Sequence, residues 1–241
     1  MHSVIKNLVR GILHQCGYEI RRLKLPSYGV SPLADAARYR RDPIKTLMDV
    51  GANVGQTSLE FYGCFPEATI HAFEPVQATY AKLKENTRHI KTVKTHRLAV
   101  GAASGVAKIW LQENNQTNSL NAALNVETQS CENVEVTTLD EFAERNGIQQ
   151  IDILKTDTEN FDLAVIEGAS RLLRERRVSF ILSEVGVASS DTAHTNLFKL
   201  TDVLLDKDFE LMGIYDRLYH YKCPKVRGWC NALYIARDLI H

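Results

Sequence analysis

Three carboxylates stand where two apolar runs stop. Asp157 and Glu159 follow Ile151 to Thr156, and Glu184 follows Val178 to Ser183. If these runs are neighbouring strands, their ends bring the three acids together. Such a group can orient a hydroxyl and take its proton as a general base, which requires reach of about 2.6–3.2 Å. It can instead hold a hard divalent ion such as Mg²⁺ through oxygen ligands and lower the pKa of the hydroxyl. The direct acid-base reading takes precedence over a metal site made of Asp157, Glu159 and Glu184. The plain alternative for each is a charged strand end paired with Lys155, Arg174 or Arg177. Lys155, two residues before Asp157 on the same strand, fits a structural ion pair. His194 and His220 are the imidazoles best placed to deprotonate an alcohol near neutral pH, with exposed loop histidines as the alternative.

A second set of residues describes a nucleotide pocket. Thr46 to Thr57 reads TLMDVGANVGQT, an apolar strand breaking into a glycine-hinged turn and then a helix opened by Gln56, Thr57 and Ser58. Gly51 and Gly55 permit positive φ and close backbone approach. The dinucleotide pattern G-x-G-x-x-G requires a glycine where this chain has Asn53, so a pyrophosphate is disfavoured. Asp49, two residues before the first glycine, suits a cationic amino-acid nucleoside, and S-adenosylmethionine is a ligand of that kind. The structural alternative is a tight turn whose glycines serve packing only.

The next apolar run, Thr69 to Phe73, ends in Glu74 and Pro75, and Pro75 stops the strand. Glu74 lies 25 residues beyond Asp49 (74 − 49). An acid at the tip of a second strand can accept hydrogen bonds from both ribose hydroxyls.

The motifs DVGANVGQTS, HAFEP, RLAVG, TTLDEF and IDILKTDTENFDLAVIEGA occur in that order. Together they resemble the FkbM-type S-adenosylmethionine-dependent methyltransferases, from about Lys45 to Ile235. The resemblance implies an α/β class I methyltransferase fold, Rossmann-like, with a seven-stranded mostly parallel sheet, helices on both faces and the last strand antiparallel. It also implies methyl transfer to a hydroxyl of a sugar or natural-product acceptor. By the same resemblance Asp49, Gly51, Asn53 and Gly55 would surround the methionine part of the cofactor and Glu74 its ribose, while Ala99 and Val100 would border the adenine. Thr57 and Pro75, beside these motifs, complete the expected cofactor set. Where the family usually has Glu-Gly followed two residues later by Glu, this chain has Glu159-Asn160 and Asp162. Asn tolerates a left-handed backbone, so the turn survives; the contact of Asp162 is left open.

The elements that must position these residues alternate in the α/β manner. A helix from Val76 to about His89 leads to a third strand ending at Ala99, and Val106 to Leu111 forms an added strand. Strand Val134 to Thr138, helix Leu139 to Asn146, strand Ile151 to Thr156, helix Phe161 to Glu175 and strand Val178 to Ser183 follow. Helix Thr195 to Leu205 and a final hairpin of Phe209 to Tyr215 and Asn231 to Ala236 close the set. The polar stretch Asn114 to Ser130 reads as a substrate loop. Tyr215, Arg217, Tyr219, Tyr221 and Trp229 make the hairpin loop aromatic and basic, as a lid over a sugar or a self-packed loop would be.

With 241 residues, 44% hydrophobic and 24% charged, the chain has room for one α/β domain, residues 45–241, behind an N-terminal segment, residues 1–44. Basic and acidic residues balance at 29 each, without the footprint of nucleic-acid binding. Five scattered cysteines without zinc spacing fit a reduced cytoplasmic chain. Met1 to Leu23 has apolar residues at helical spacing, interrupted by Gly11, His14 and Gln15. It is an amphipathic helix far short of the roughly 20 apolar residues of a membrane span. It docks on the domain or a second subunit, as in a homodimer, or makes a weak contact with the inner membrane face. Pro26 to Pro43 reads as linker or lid with a short helical patch around Ala34 to Arg41. Two other functions stay open: a nicotinamide-dependent oxidoreductase, opposed by Asn53, and a non-catalytic nucleoside-binding scaffold.

Overall fold

Apolar runs free of charge become strands covered on both faces. The computed structural model describes residues 28–40, 42–110, 131–188, 191–215 and 228–240. Strands β1 (Thr46–Val50), β2 (Thr69–Phe73) and β3 (Val93–His96) pair in parallel with one another in that order. A second sheet holds β4 (Ala99–Val100), β5 (Gly105–Trp110) and β6 (Cys131–Thr137), in the order β4-β6-β5. The main sheet continues on the other side of β1 with β7 (Ile151–Thr156) and β8 (Val178–Gly186), both parallel to it. The short β9 (Thr195–Asn196) pairs with β8, and β10 (Phe209–Tyr215) and β11 (Trp229–Ala236) complete the sheet. The order β10-β11-β8-β7-β1-β2-β3 has seven strands, and β9 makes eight. In this sheet β11 runs antiparallel to both β8 and β10.

Helices cover both faces, and alternation along the strands sorts their partners. Leu47, Ile153, Phe180 and Leu182 face α1 (Pro32–Tyr39) and α2 (Gln56–Cys64), meeting Leu33, Ala36 and Phe61. Met48, Val50, Leu154 and Ile181 face the opposite layer, built from α4 (Leu139–Arg145), α5 (Asp162–Glu167), α6 (Ser170–Arg174) and α7 (Leu197–Leu205). Helix α3 (Gln77–Thr87) follows β2 and sets Leu83 against Ala52 and Ala72. Helix α1 is a built element, with Ser31 accepting the Ala34 N–H and Pro32 in its first turn. The expected helix in Met1 to Leu23, the Asn114 to Ser130 loop and residues 216–227 of the hairpin loop, with Arg217, Tyr219, His220 and Tyr221, lie outside the described residues. Among the described residues no helix is long and apolar enough to cross a membrane.

Several boundaries differ from the sequence reading, the starts of β6 at Cys131 and β11 at Trp229 among them. The third strand stops at His96, and Ala99 and Val100 join the other sheet through β6. Between the two sheets Arg97 pairs with Glu132 of β6 at 2.6 Å. The long helix expected from Phe161 to Glu175 is broken at Gly168, where a Cβ would stand 2.1 Å from the Gly101 carbonyl oxygen. Helix α6 then restarts under a cap from a distant residue, since Asp140 accepts the N–H groups of Arg171 and Leu172 at 2.8 and 2.9 Å. Strand β8 runs on to Gly186, so Glu184 lies within it, opposite Asn231, and does not follow its end. Thr195 and Asn196 are drawn into β9, and α7 begins at Leu197 with the Asn196 side chain as its cap.

Candidate active site

The strand order reverses between β1 and β7, and open α/β sheets bind ligands in the crevice at the carboxyl ends of such strands. A cleft of about 770 Å³ open to solvent lies there, and its wall includes Val50, Gly51, Asn53, Glu74, Pro75, Ala99, Val100, Asp157 and Glu159. The glycine turn is shaped by contacts as well as by dihedral freedom. Gly51 has φ +80°, and a Cβ there would meet the Asp157 carbonyl oxygen at 1.9 Å. Its smallness therefore lets β1 and β7 close side by side. Asn53 adopts φ +50° and Gly55 φ +99°, and Gly55 opens α2. Thr57 sits in the first turn of α2, half-buried and away from the cleft wall.

Asp49 lies beneath the cleft, fully buried, and does not line it. Ser58 Oγ donates to its Oδ2 at 2.6 Å, while Oδ1 has no hydrogen-bond donor and faces Lys155 Nζ at 3.6 Å. Lys155 also reaches Asp157 at 3.0 Å. Burial works against its charge, but Asp157 and Asp49 outweigh that and raise its pKa. The expected ion pair is thus present, and it ties the floor of the cleft to its rim.

Glu74 is 7% exposed and belongs to the cleft wall. Its Oε1 accepts the Val76 N–H at 2.9 Å. Burial lifts its pKa to about 7 against the help of the Val76 and Asn53 N–H groups. Leu98, Ala99, Val100, Ile109 and Phe161 give the same cleft an apolar side. An acceptor-rich corner beside an apolar slot fits a ribose and a flat base.

At the other side of the cleft the chain leaves β7 through a turn held open by two left-handed residues, Glu159 at φ +50° and Asn160 at φ +74°. Asp162, 1% exposed, fastens that turn: it accepts the Thr158 N–H at 3.3 Å and the Thr195 hydroxyl at 2.8 Å. Its shorter side chain therefore acts within the protein. Glu159 is pushed up to about 7 by burial and by Asp157, and Glu184 is raised chiefly by burial. His194 joins the group: its Nε2 is 3.4 Å from Glu184 and its Nδ1 2.9 Å from Asp191. The Glu184 contact, with Asp191 behind it, lifts the imidazole to about 9. A shift of this sign favours the protonated ring over the neutral imidazole that a base requires.

Asp191 was not marked by any motif. Its only signature is the short Asp-x-x-His spacing, in which an Asp side chain can accept the N–H groups of a following turn. It does so with Ala193 and His194 at 3.0 and 3.1 Å. Among the described residues no three His, Cys, Asp or Glu side chains form a metal-holding group. Asp157 is already engaged by Lys155 at 3.0 Å.

The profile described as "Methyltransferase FkbM domain" matches residues 49–211. The hexuronic acid methyltransferase AglP of Haloferax volcanii is 26% identical over 171 residues, 68% of this chain and 68% of that protein. The 2-O-methyltransferase NoeI of Sinorhizobium fredii is 24% identical over 190 residues, 73% of this chain and 76% of that protein. The solved METTL16 MTase domain superposes with a TM-score of 0.51 at 11% identity, covering 95% of this chain and 78% of that one, which is a likeness of fold. The chain belongs to the methyltransferase FkbM domain family and is an S-adenosylmethionine-dependent methyltransferase.

Proposed function

We propose that this enzyme methylates a hydroxyl oxygen of a sugar or a small natural product. The observation that carries the reading is the two-sided cleft. Glu74 and the apolar slot form one end, and the carboxylates Asp157 and Glu159 line the other. When bound, S-adenosylmethionine supplies an electrophilic methyl group on a sulfonium centre. Glu74 would hold its ribose, Asn53 and the Gly51 backbone its amino-acid part, and Ala99 and Val100 its base. Asp49 supports from below by keeping Lys155 charged and in place.

Methyl transfer to a hydroxyl leaves one proton to be taken up. Glu159, with a pKa of about 7, combines basicity with a useful ionised fraction at neutral pH. Asp157, held at 3.0 Å by Lys155, orients the acceptor. The relatives AglP and NoeI are a hexuronic acid methyltransferase and a 2-O-methyltransferase, which supports a carbohydrate acceptor.

A panel of neutral, acidic and amino sugars, scored by release of S-adenosylhomocysteine, tests the reading. A sugar or polyol acceptor is expected, with turnover unchanged by a chelator. Exclusive transfer to a nitrogen or carbon acceptor would overturn it. Parallel melting curves with NADH and S-adenosylmethionine address the oxidoreductase alternative, and only the latter is expected to stabilise the protein.

A further inference from the structure

The sequence offers no motif for Asp191, yet its carboxylate is held from several sides. Its Oδ1 accepts the Ala193 and His194 N–H groups, and its Oδ2 faces His194 Nδ1 at 2.9 Å. It lies in a cradle of two glycines: a Cβ on Gly186 or Gly228 would stand 3.1 or 3.2 Å from its carboxylate. The side chain of Asp191 is 9% exposed. One ring nitrogen of His194 is thus fixed, and the other is aimed at Glu184 on β8 at 3.4 Å. From the turn after β7, Glu159 feels the same ring, and Asp157 stands behind Glu184. Trp229, at the start of β11, packs against the imidazole with ring centres 5.8 Å apart.

We propose that Asp191 is a positioning residue that holds His194 as a standing cation, and that this cation keeps the crowded carboxylates Glu159 and Glu184 available to receive the acceptor's proton. Burial and the neighbouring Asp157 raise the proton affinity of both Glu159 and Glu184. Lys155 is a second cation of the corner, held at 3.0 Å on Asp157, and the His194 charge is the one that faces Glu184 from the Asp191 turn. His194 lowers the proton affinity of Glu159 and Glu184, which is the required sign. A histidine in this clamp is not the base; it tunes the bases. The inference rests on the methyl-transfer reading only for its rate measurement.

The test is ¹⁵N NMR titration of histidine in the full chain, paired with a pH profile of turnover on the acceptor found by the sugar panel. In the native protein His194 is expected to stay protonated through pH 8, with its midpoint near pH 9. In Asp191→Asn its proton affinity should drop about tenfold, and the acidic limb of the turnover profile should move toward higher pH, because carboxylates facing a weaker cation hold their proton longer. His194→Gln removes the cation without touching the Asp191 turn, and it should shift the acidic limb upward by about one pH unit. Native His194 titrating near 6.5, or Asp191→Asn leaving both midpoint and profile in place, overturns the proposal. The NMR midpoint does not depend on methyl transfer. A clamped cation together with full turnover in Asp157→Asn and Glu159→Gln would therefore overturn the base assignment alone.

Discussion

Replacing Glu74 by Gln should weaken the cofactor and also remove a pH dependence. Glu74 is a buried carboxyl with a pKa of about 7, lying in the cleft wall. An ionised carboxylate can accept from two ribose hydroxyls, whereas a protonated one accepts at one oxygen only. If binding needs the ionised form, the usable fraction is about 0.9 at pH 8 and about 0.1 at pH 6. Affinity should then fall about tenfold over that interval. The Gln side chain keeps one acceptor and loses one charge-assisted hydrogen bond, worth about 1.5–3 kcal/mol, which is about 10- to 150-fold in Kd. Calorimetry with S-adenosylhomocysteine from pH 6 to pH 8 reads both effects without turnover. The native protein should show the tenfold slope, and Glu74→Gln should bind weakly with little slope. A native Kd flat across this range, or a Gln variant that binds as tightly as the native chain, refutes the placement of Glu74 on the ribose.

Asp157→Asn should lose at least tenfold in turnover while its affinity for S-adenosylhomocysteine changes little, because Asp157 faces the acceptor side; steady-state rates beside calorimetry separate the two. Gly51→Ala should destabilise the fold by more than about 2 kcal/mol, since it combines a positive φ with a backbone overlap at 1.9 Å; the urea midpoint measures this. His71 and His96 stack with their nitrogens 3.1 Å apart, packed against Phe73 and Phe142, and burial lowers both to about 4. Their folded pKa values lie below the unfolded value, so the unfolded chain binds more protons and stability is lost as pH falls below about 6.5. Between pH 7 and pH 5 the loss should be about 3–4 kcal/mol for the pair, and it should shrink in a His71→Phe, His96→Phe double variant when melting is followed at both pH values.

What the sequence shows of this molecule follows from how local the determining contact is. Strand β7 occupies the residues that its apolar run marks, because a strand buried on both faces admits few interruptions. Asp162 could be located but not explained from sequence, since its partner Thr195 lies 33 residues away. The break at Gly168 depends on Gly101, a contact between backbones that no periodicity records. The charge state of His194 comes from Glu184 and Asp191, which only the sheet and a turn bring to the same ring. Thr57 looks from sequence like part of the pocket because it follows the glycine turn, yet the helix carries it away from the wall.

The position of β11 carries a cost during synthesis. It is made after every other described strand, yet it fills the gap between β8 and β10. From Gly186 to Trp229 the ribosome must add 43 residues (229 − 186) before the outer edge of β8 can be covered. At about 5–20 residues per second, that edge waits for several seconds on each nascent chain. An uncovered apolar edge is a template for pairing with another chain. Translation-arrested chains stopped just short of Trp229 should therefore be degraded readily by protease and captured by holdase chaperones, and arrest beyond Ala236, clear of the exit tunnel, should relieve both.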